Sequence, residues 1–327
     1  MNGPLISIVI PSFNQGKYIE DSIVSVLSQS YRNFELVIID GGSTDESKDI
    51  IRKYESELAY WVSEKDNGQT HAIVKGLQRC KGELFNWINS DDVLEPDSLL
   101  KVANAFIANN KPGLVAGDVR VFGEGVGKRI FKRINHHGIT ARTLGFGEMC
   151  QPGMFYQTSI LRDLGLDEGK HYCMDVDLFF KFILLSVNNR VAYVDEPVAG
   201  FRLHPDSKTI SQQSSGNESA FLKERIEILS GYAKGLKNVT ARERMKKCGF
   251  LSNTAVAVET DIAHNRLIDS SVSYFLLQRA LEEAWTGNKT KALRIWLRIS
   301  MKDIDSVQRK RLRRAIWKAF TSGLNIM

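Results

Sequence analysis

Two adjacent carboxylates, Asp91 and Asp92, follow the segment Leu84–Ile88 directly after Asn89 and Ser90. Like charges side by side repel and cost free energy unless donors or a cation compensate. Mg²⁺ or Mn²⁺ meets that need, because it takes one or two carboxylates and completes its shell with phosphate oxygens and water. The plainer reading is a solvated turn that leads into a helix near Pro96. Another acid, Asp40, ends the apolar run Phe34–Ile39 at the turn Gly41-Gly42. A carboxylate there can accept from a ribose hydroxyl or a base N–H, or it can serve only to shape the turn. A third polar cluster, Pro11-Ser12-Phe13-Asn14, ends the run Leu5–Ile10.

These three clusters need elements that bring them together. The runs at Leu5–Ile10, Phe34–Ile39 and Leu84–Ile88 read as buried strands. Tyr60–Ser63 and Leu114–Phe122 add two more. Between them, helical spacing predicts helices over Tyr18–Ser28, Thr70–Arg79 and onward from Pro96, and Ser43 with Glu46 has the spacing of a capping box. Alternation of this kind predicts an α/β fold with a mainly parallel sheet and helices on both faces. Ligands then bind outside the carboxyl ends of the strands, where all three clusters fall.

With those motifs in order, residues 5–210 resemble family 2 glycosyltransferases. The resemblance rests on Ser7–Asn14, Val37–Asp45, Glu64-Lys65-Asp66-Asn67-Gly68-Gln69, Trp87–Asp92, Gln151-Pro152-Gly153-Met154-Phe155, His171–Leu178 and Phe201-Arg202-Leu203-His204. It implies a GT-A fold, a nucleoside-diphosphate sugar as donor with UDP favoured, Mn²⁺ or Mg²⁺ as cofactor, and inversion at the anomeric carbon. It places Pro11, Ser12, Phe13, Asn14, Asp66, Gly68 and Ser90 in the donor site. Asp40 takes the base or ribose, Asp91 the ribose or sugar, and Asp92 the metal. Asp175 is implied as catalytic base, with helix capping as its other reading, and Asp177 as a possible cap. His204 is implied as a metal ligand or phosphate donor, and Arg202 and Lys208 as cations on the diphosphate. His71 and Val74 stand where many relatives carry Asp and Asn. Glu148 precedes the Gln151 motif at a position suited to acceptor or sugar, and the pair His136-His137 reads as loop.

Composition agrees with a soluble globular chain: 327 residues, 43% apolar and 25% charged, outside the disordered and disulfide-scaffold classes. No apolar run is long enough to span a bilayer, and the N-terminus lacks secretory features. Four dispersed cysteines predict free thiols in a reducing cytoplasm. Charge is uneven. Residues 211–327 hold 21 Lys and Arg against 11 Asp and Glu, a balance of +10, and the first 210 hold 23 against 27, a balance of −4. This predicts a GT-A domain over 1–210 and a basic helical region over 211–327. The segment Arg309–Phe320 is basic and amphipathic, so residues 306–327 are expected to touch the inner face of the cell membrane peripherally. No nucleic-acid fold accompanies the basic patch. The expected acceptor is a saccharide or lipid-linked saccharide in surface polysaccharide or glycolipid synthesis. The alternatives are a catalytically silent sugar-nucleotide-binding scaffold and a sugar-1-phosphate nucleotidyltransferase.

Overall fold

A computed structural model of the chain describes residues 3–123, 129–131, 141–146, 149–205, 207, 220–252, 254–257 and 262–321. The chain forms two compact units. The first comprises Met1–Ile134 and Cys150–Ala220, and the second Asn135–Met149 and Phe221–Met327. The second unit thus takes in 135–149 as well as 221–327.

The first unit begins with β1 (Ile6–Ser12), α1 (Gly16–Leu27), β2 (Phe34–Asp40), α2 (Ser47–Lys53), β3 (Tyr60–Ser63), α3 (Gln69–Arg79) and β4 (Leu84–Trp87). It continues with β5 (Val93–Leu94), α4 (Ser98–Ala108), β6 (Leu114–Gly123), β7 (Arg129–Phe131), β8 (Met154–Gln157), α6 (Thr158–Leu164), α7 (Met174–Leu185) and β9 (Val191–Leu203). The sheet order is β3-β2-β1-β4-β8-β6-β9-β5, with β7 on β6. From β3 to β4 every pairing is parallel. β8 then runs antiparallel to both β4 and β6, β9 returns parallel to β6, and β5 is antiparallel to β9. The parallel half is the one legible as strand–helix alternation; the other half makes the sheet mixed.

Burial explains why β1 is apolar throughout. Ile6, Ile8 and Ile10 join Ile19, Ile23 and Val26 of α1 in one core. Val9 points the other way, onto α3, where a side chain at Gly76 would come within 2.6 Å of it. Both faces are covered by helices, so neither tolerates polar alternation.

The second unit holds α5 (Ala141–Phe146), α8 (Ala220–Gly235), α9 (Val239–Lys247), α10 (Ile262–Trp285), α11 (Lys289–Trp296) and α12 (Ser306–Thr321). α5 lies on α10 so closely that a Cβ at Gly145 would meet the Ser271 carbonyl at 2.4 Å. Asn238 caps α9 by accepting the Ala241 N–H at 2.9 Å. Asp305 caps α12 through the Gln308 N–H at 2.8 Å. Leu312, the first residue of the predicted membrane-facing stripe, is fully buried in its own unit. Its neighbours Arg311, Arg313 and Arg314 are exposed.

Candidate active site

The parallel register sets Ser12 beside Asp40 at the carboxyl ends of β1 and β2. Asp40 is completely buried. Its Oδ2 accepts the backbone N–H groups of Gly42 and Ser43 at 3.2 and 2.9 Å and the Ser63 hydroxyl at 2.6 Å. Its Oδ1 accepts the Ser43 hydroxyl at 2.5 Å. Four donors on an enclosed carboxylate make it the organiser of the turn. Asp40, the residue expected at base or ribose, has its carboxylate oxygens on the turn's own donors in this structure. Ser43 serves the same turn, accepting the Asn14 N–H at 2.7 Å. It caps no helix, and α2 begins only after Glu46.

Asn14 has φ 51°, a left-handed conformation that Asn tolerates. Its Oδ1 accepts the Thr44 N–H at 2.8 Å, so it locks the same corner. Pro11 and Ser12 are buried beneath it, while the Phe13 ring is 59% exposed. Asp66 lies over Gly41: a Cβ there would come within 2.8 Å of Asp66 Oδ2. Asp66 Oδ1 accepts the Gly68 N–H at 2.8 Å, and Gly68 sits at φ 106° at the start of α3. Of the donor-site residues expected around this corner, Phe13, Asn14 and the half-buried Asp66 are the side chains with open surface.

The end of β4 distributes its two acids unequally. Asp92 is fully buried; its Oδ1 accepts the Arg202 N–H at 2.9 Å and its Oδ2 the Asn89 amide at 3.1 Å. Burial, and then the Asp91 charge, push its carboxyl well above the usual range. Asp91 keeps some exposure, and its Oδ2 lies 3.0 Å from His204 Nε2. Asp92, expected on the metal, is enclosed, and Asp91, expected on ribose or sugar, faces His204. Arg202 is also committed. Its Nε donates to the Asp91 carbonyl at 2.8 Å and its Nη2 to Asp21 at 2.8 Å. Its guanidinium lies against the Tyr18 and Phe122 rings, 5.0 and 4.6 Å from their centroids. These contacts tie Arg202, expected on a diphosphate, to the turn that carries the two acids. Lys208, His136, His137 and Glu148 fall outside the described residues.

Asp175 opens α7, and its Oδ1 accepts the Val176 N–H at 2.9 Å. Asp177 pairs with Lys181 at 3.0 Å. The Cys150 thiol is pushed up first by burial, then by the charges of Asp92 and Asp175, which brings both acids within electrostatic reach of one side chain. Gln151 anchors this segment to β4, donating to Asn86 Oδ1 at 2.9 Å and the Trp87 carbonyl at 2.8 Å. The Thr70 hydroxyl on α3 donates to the Lys170 carbonyl at 2.8 Å, tying down the loop before α7. Gln69 donates to Asn89 Oδ1 at 2.6 Å, and Ser90 is buried in the same turn.

Asp91 and His204 bring a carboxylate and an imidazole together, both groups that divalent cations accept, and their Oδ2 and Nε2 stand at hydrogen-bond distance, 3.0 Å. His204 is 6% exposed, packs on the Tyr18 ring at 4.6 Å, and its Nδ1 has no partner among the described residues. No group of three or more potential ligands occurs among the described residues. The pair fits a cation that takes most of its shell from phosphate and water. Sequence reasoning passed over Asp21 and the Tyr18 ring, which position the arginine and the histidine. Tyr18 could be read only as part of a helix face, since a stacking partner 186 positions away leaves no local pattern.

Residues 7–165 match the family model described as Glycosyl transferase family 2. An uncharacterized glycosyltransferase of Rickettsia typhi is 27% identical over 280 residues, covering 77% of this chain and 79% of that one. Among solved structures, S. aureus TarS 1–349 in complex with UDP-GlcNAc superposes with a TM-score of 0.60 at 18% identity, over 97% of this chain and 81% of that one. The mannosyltransferase PcManGT from Pyrobaculum calidifontis, in complex with GDP-Man and Mn²⁺, gives a TM-score of 0.50 at 15% identity, over 99% and 88%. The two structures share the GT-A fold found here. With that fold and the matched motifs, residues 7–165 are similar to glycosyl transferase family 2.

Proposed function

We propose that the chain is an inverting glycosyltransferase that moves a hexosyl or N-acetylhexosaminyl group from a UDP-sugar to a hydroxyl of a saccharide or lipid-linked saccharide. The UDP-GlcNAc complex of TarS and the GDP-Man and Mn²⁺ complex of PcManGT support a cation-held nucleotide sugar. The observation that carries the reading is the approach of Asp91 to His204, 113 positions apart in the chain and 3.0 Å apart in space. In this reading Phe13 and Asp66 frame the nucleotide, and Asp91 with His204 would hold Mn²⁺ or Mg²⁺. Such a cation supplies charge stabilisation to the departing diphosphate. Asp92 and Arg202 keep Asp91 oriented. Asp175 removes the acceptor's proton as its oxygen attacks the anomeric carbon. The setting is surface polysaccharide or glycolipid assembly at the inner face of the membrane. There, the exposed Arg311, Arg313 and Arg314 offer charge to anionic lipid while Leu312 stays buried.

Release of UDP from UDP-GlcNAc, UDP-glucose and UDP-galactose, with Mn²⁺ and with EDTA, tests the reading. Cation-dependent release by the wild type supports it. UDP binding without turnover of any donor on a panel of saccharide acceptors would make the chain a binding scaffold instead.

A further inference from the structure

Two helices of the second unit, α9 and α11, end beside one another around a groove of about 380 Å³. Its lining includes Thr240, Glu243, Arg244, Lys247, Arg298 and Ser300. Helix C-termini attract cations, and each carries the equivalent of roughly half a negative charge. Two such ends and Glu243 come to about two negative charges. Lys247 and Arg298 in the lining and Arg294 close by are all exposed, and none has an ion-pair partner among the described residues. Lys246 adds a fourth exposed cation on the last turn of α9. Positive charge therefore exceeds what the helix ends need.

The charges are also concentrated. Burial pushes the Cys248 thiol up, while Arg298, Arg244 and Arg294 all pull it down. Arg244 is fixed, donating to the Ser273 hydroxyl and to Asp269 Oδ1, each at 2.7 Å. Arg244 lines the groove already bonded, and Lys247 and Arg298 are exposed donors beside it.

We propose that this groove binds a phosphate group carried on a saccharide, held by Lys247 and Arg298 with the Thr240 and Ser300 hydroxyls as neutral donors. Resting on the glycosyl-transfer reading, the occupant is a phosphate-bearing acceptor. Guanidinium and ammonium groups are the usual partners of phosphate. A concave site with Leu297 as the exposed apolar residue of its lining fits a compact sugar phosphate better than a bilayer, which favours a broad apolar face.

The test is calorimetric titration of the full chain with glucose 1-phosphate, with glucose as the uncharged control, in saturating UDP and Mn²⁺ to occupy the donor site. The expected result is binding of glucose 1-phosphate and not glucose, weakened at least tenfold in Lys247→Glu/Arg298→Glu and retained in Lys247→Arg. Arg298→Gln, with its melting temperature measured, guards against misfolding of the double variant and should also weaken binding. Equal affinity in wild type and in both weakening variants would overturn the proposal. So would binding to vesicles of phosphatidylcholine and phosphatidylglycerol, without binding of glucose 1-phosphate, that is lost in Lys247→Glu/Arg298→Glu, which would assign the groove to lipid headgroups. Failure of the wild type to bind UDP would count against the glycosyl-transfer reading, while intact UDP binding without glucose 1-phosphate binding would count against the groove alone.

Discussion

Two acidic corners stand side by side at the carboxyl ends of the parallel strands, and they differ in how their oxygens are used. At the end of β2, Asp40 is enclosed and receives four donors. At the end of β4, Asp92 is enclosed in the same manner, but Asp91 remains partly exposed beside a histidine that has an unpartnered nitrogen. An acid at a strand end is thus scaffold or site according to whether the fold has already filled its lone pairs. Buried carboxylates with all partners present shape the backbone. Those left short of donors are where a ligand gains most.

The widest separation between the two kinds of acid should appear in rates. Asp175→Asn is expected to cut transfer by ~10²–10⁴-fold, the usual worth of a general base, while UDP affinity stays near wild type. Parallel loss of binding and transfer would put Asp175 with the scaffold acids. Stability should show the converse. Asp40→Ala strands several buried donors and should cost roughly 3 kcal/mol, read as a clear fall in melting temperature, whereas Asp91→Ala should leave melting almost unchanged in EDTA. A similar loss from both would erase the distinction.

A smaller effect concerns pH. Burial and Asp91 raise the Asp92 carboxyl in the folded chain. A raised carboxyl favours the protonated form on folding, so its contribution is present at low pH and is lost as pH climbs from the unfolded value of ~3.9 through the folded one. In EDTA, Asp92→Asn should therefore gain in melting temperature over wild type as pH rises above about 4. A constant difference across pH would show that Asp92 ionises freely. The smallest effect is at Cys150, whose thiol is held up mainly by burial and secondarily by Asp92 and Asp175. Alkylation of Cys150 should quicken modestly in Asp175→Asn and stay unchanged in Asp40→Asn. No change in the former would separate Asp175 from this thiol.

The parallel half of the fold was legible because both its faces are buried. β1, β2 and β4 are short apolar runs that alternate with helices, and their polar ends mark the crevice. Of the mixed half β6 was legible, at Leu114–Phe122, but β8 and β9 were not, since β8 is only four residues long and β9 is interrupted by Asp195, Glu196 and Pro197. Site positions were legible through motifs. Individual roles were not, because the choice between Asp91 and Asp92 depends on Arg202 N–H, a donor 110 positions away. Ser43 shows the same limit: its spacing to Glu46 fits a cap, yet its hydroxyl goes to Asp40.

The central claim is that Asp91 with His204, and not Asp92, is the cation-facing pair. Calorimetric titration of UDP with and without Mn²⁺ into wild type, Asp91→Asn and Asp92→Asn tests it most directly. The account predicts that Asp91→Asn loses the increment of affinity due to Mn²⁺ and that Asp92→Asn keeps most of it. Loss in Asp92→Asn with full retention in Asp91→Asn would contradict it.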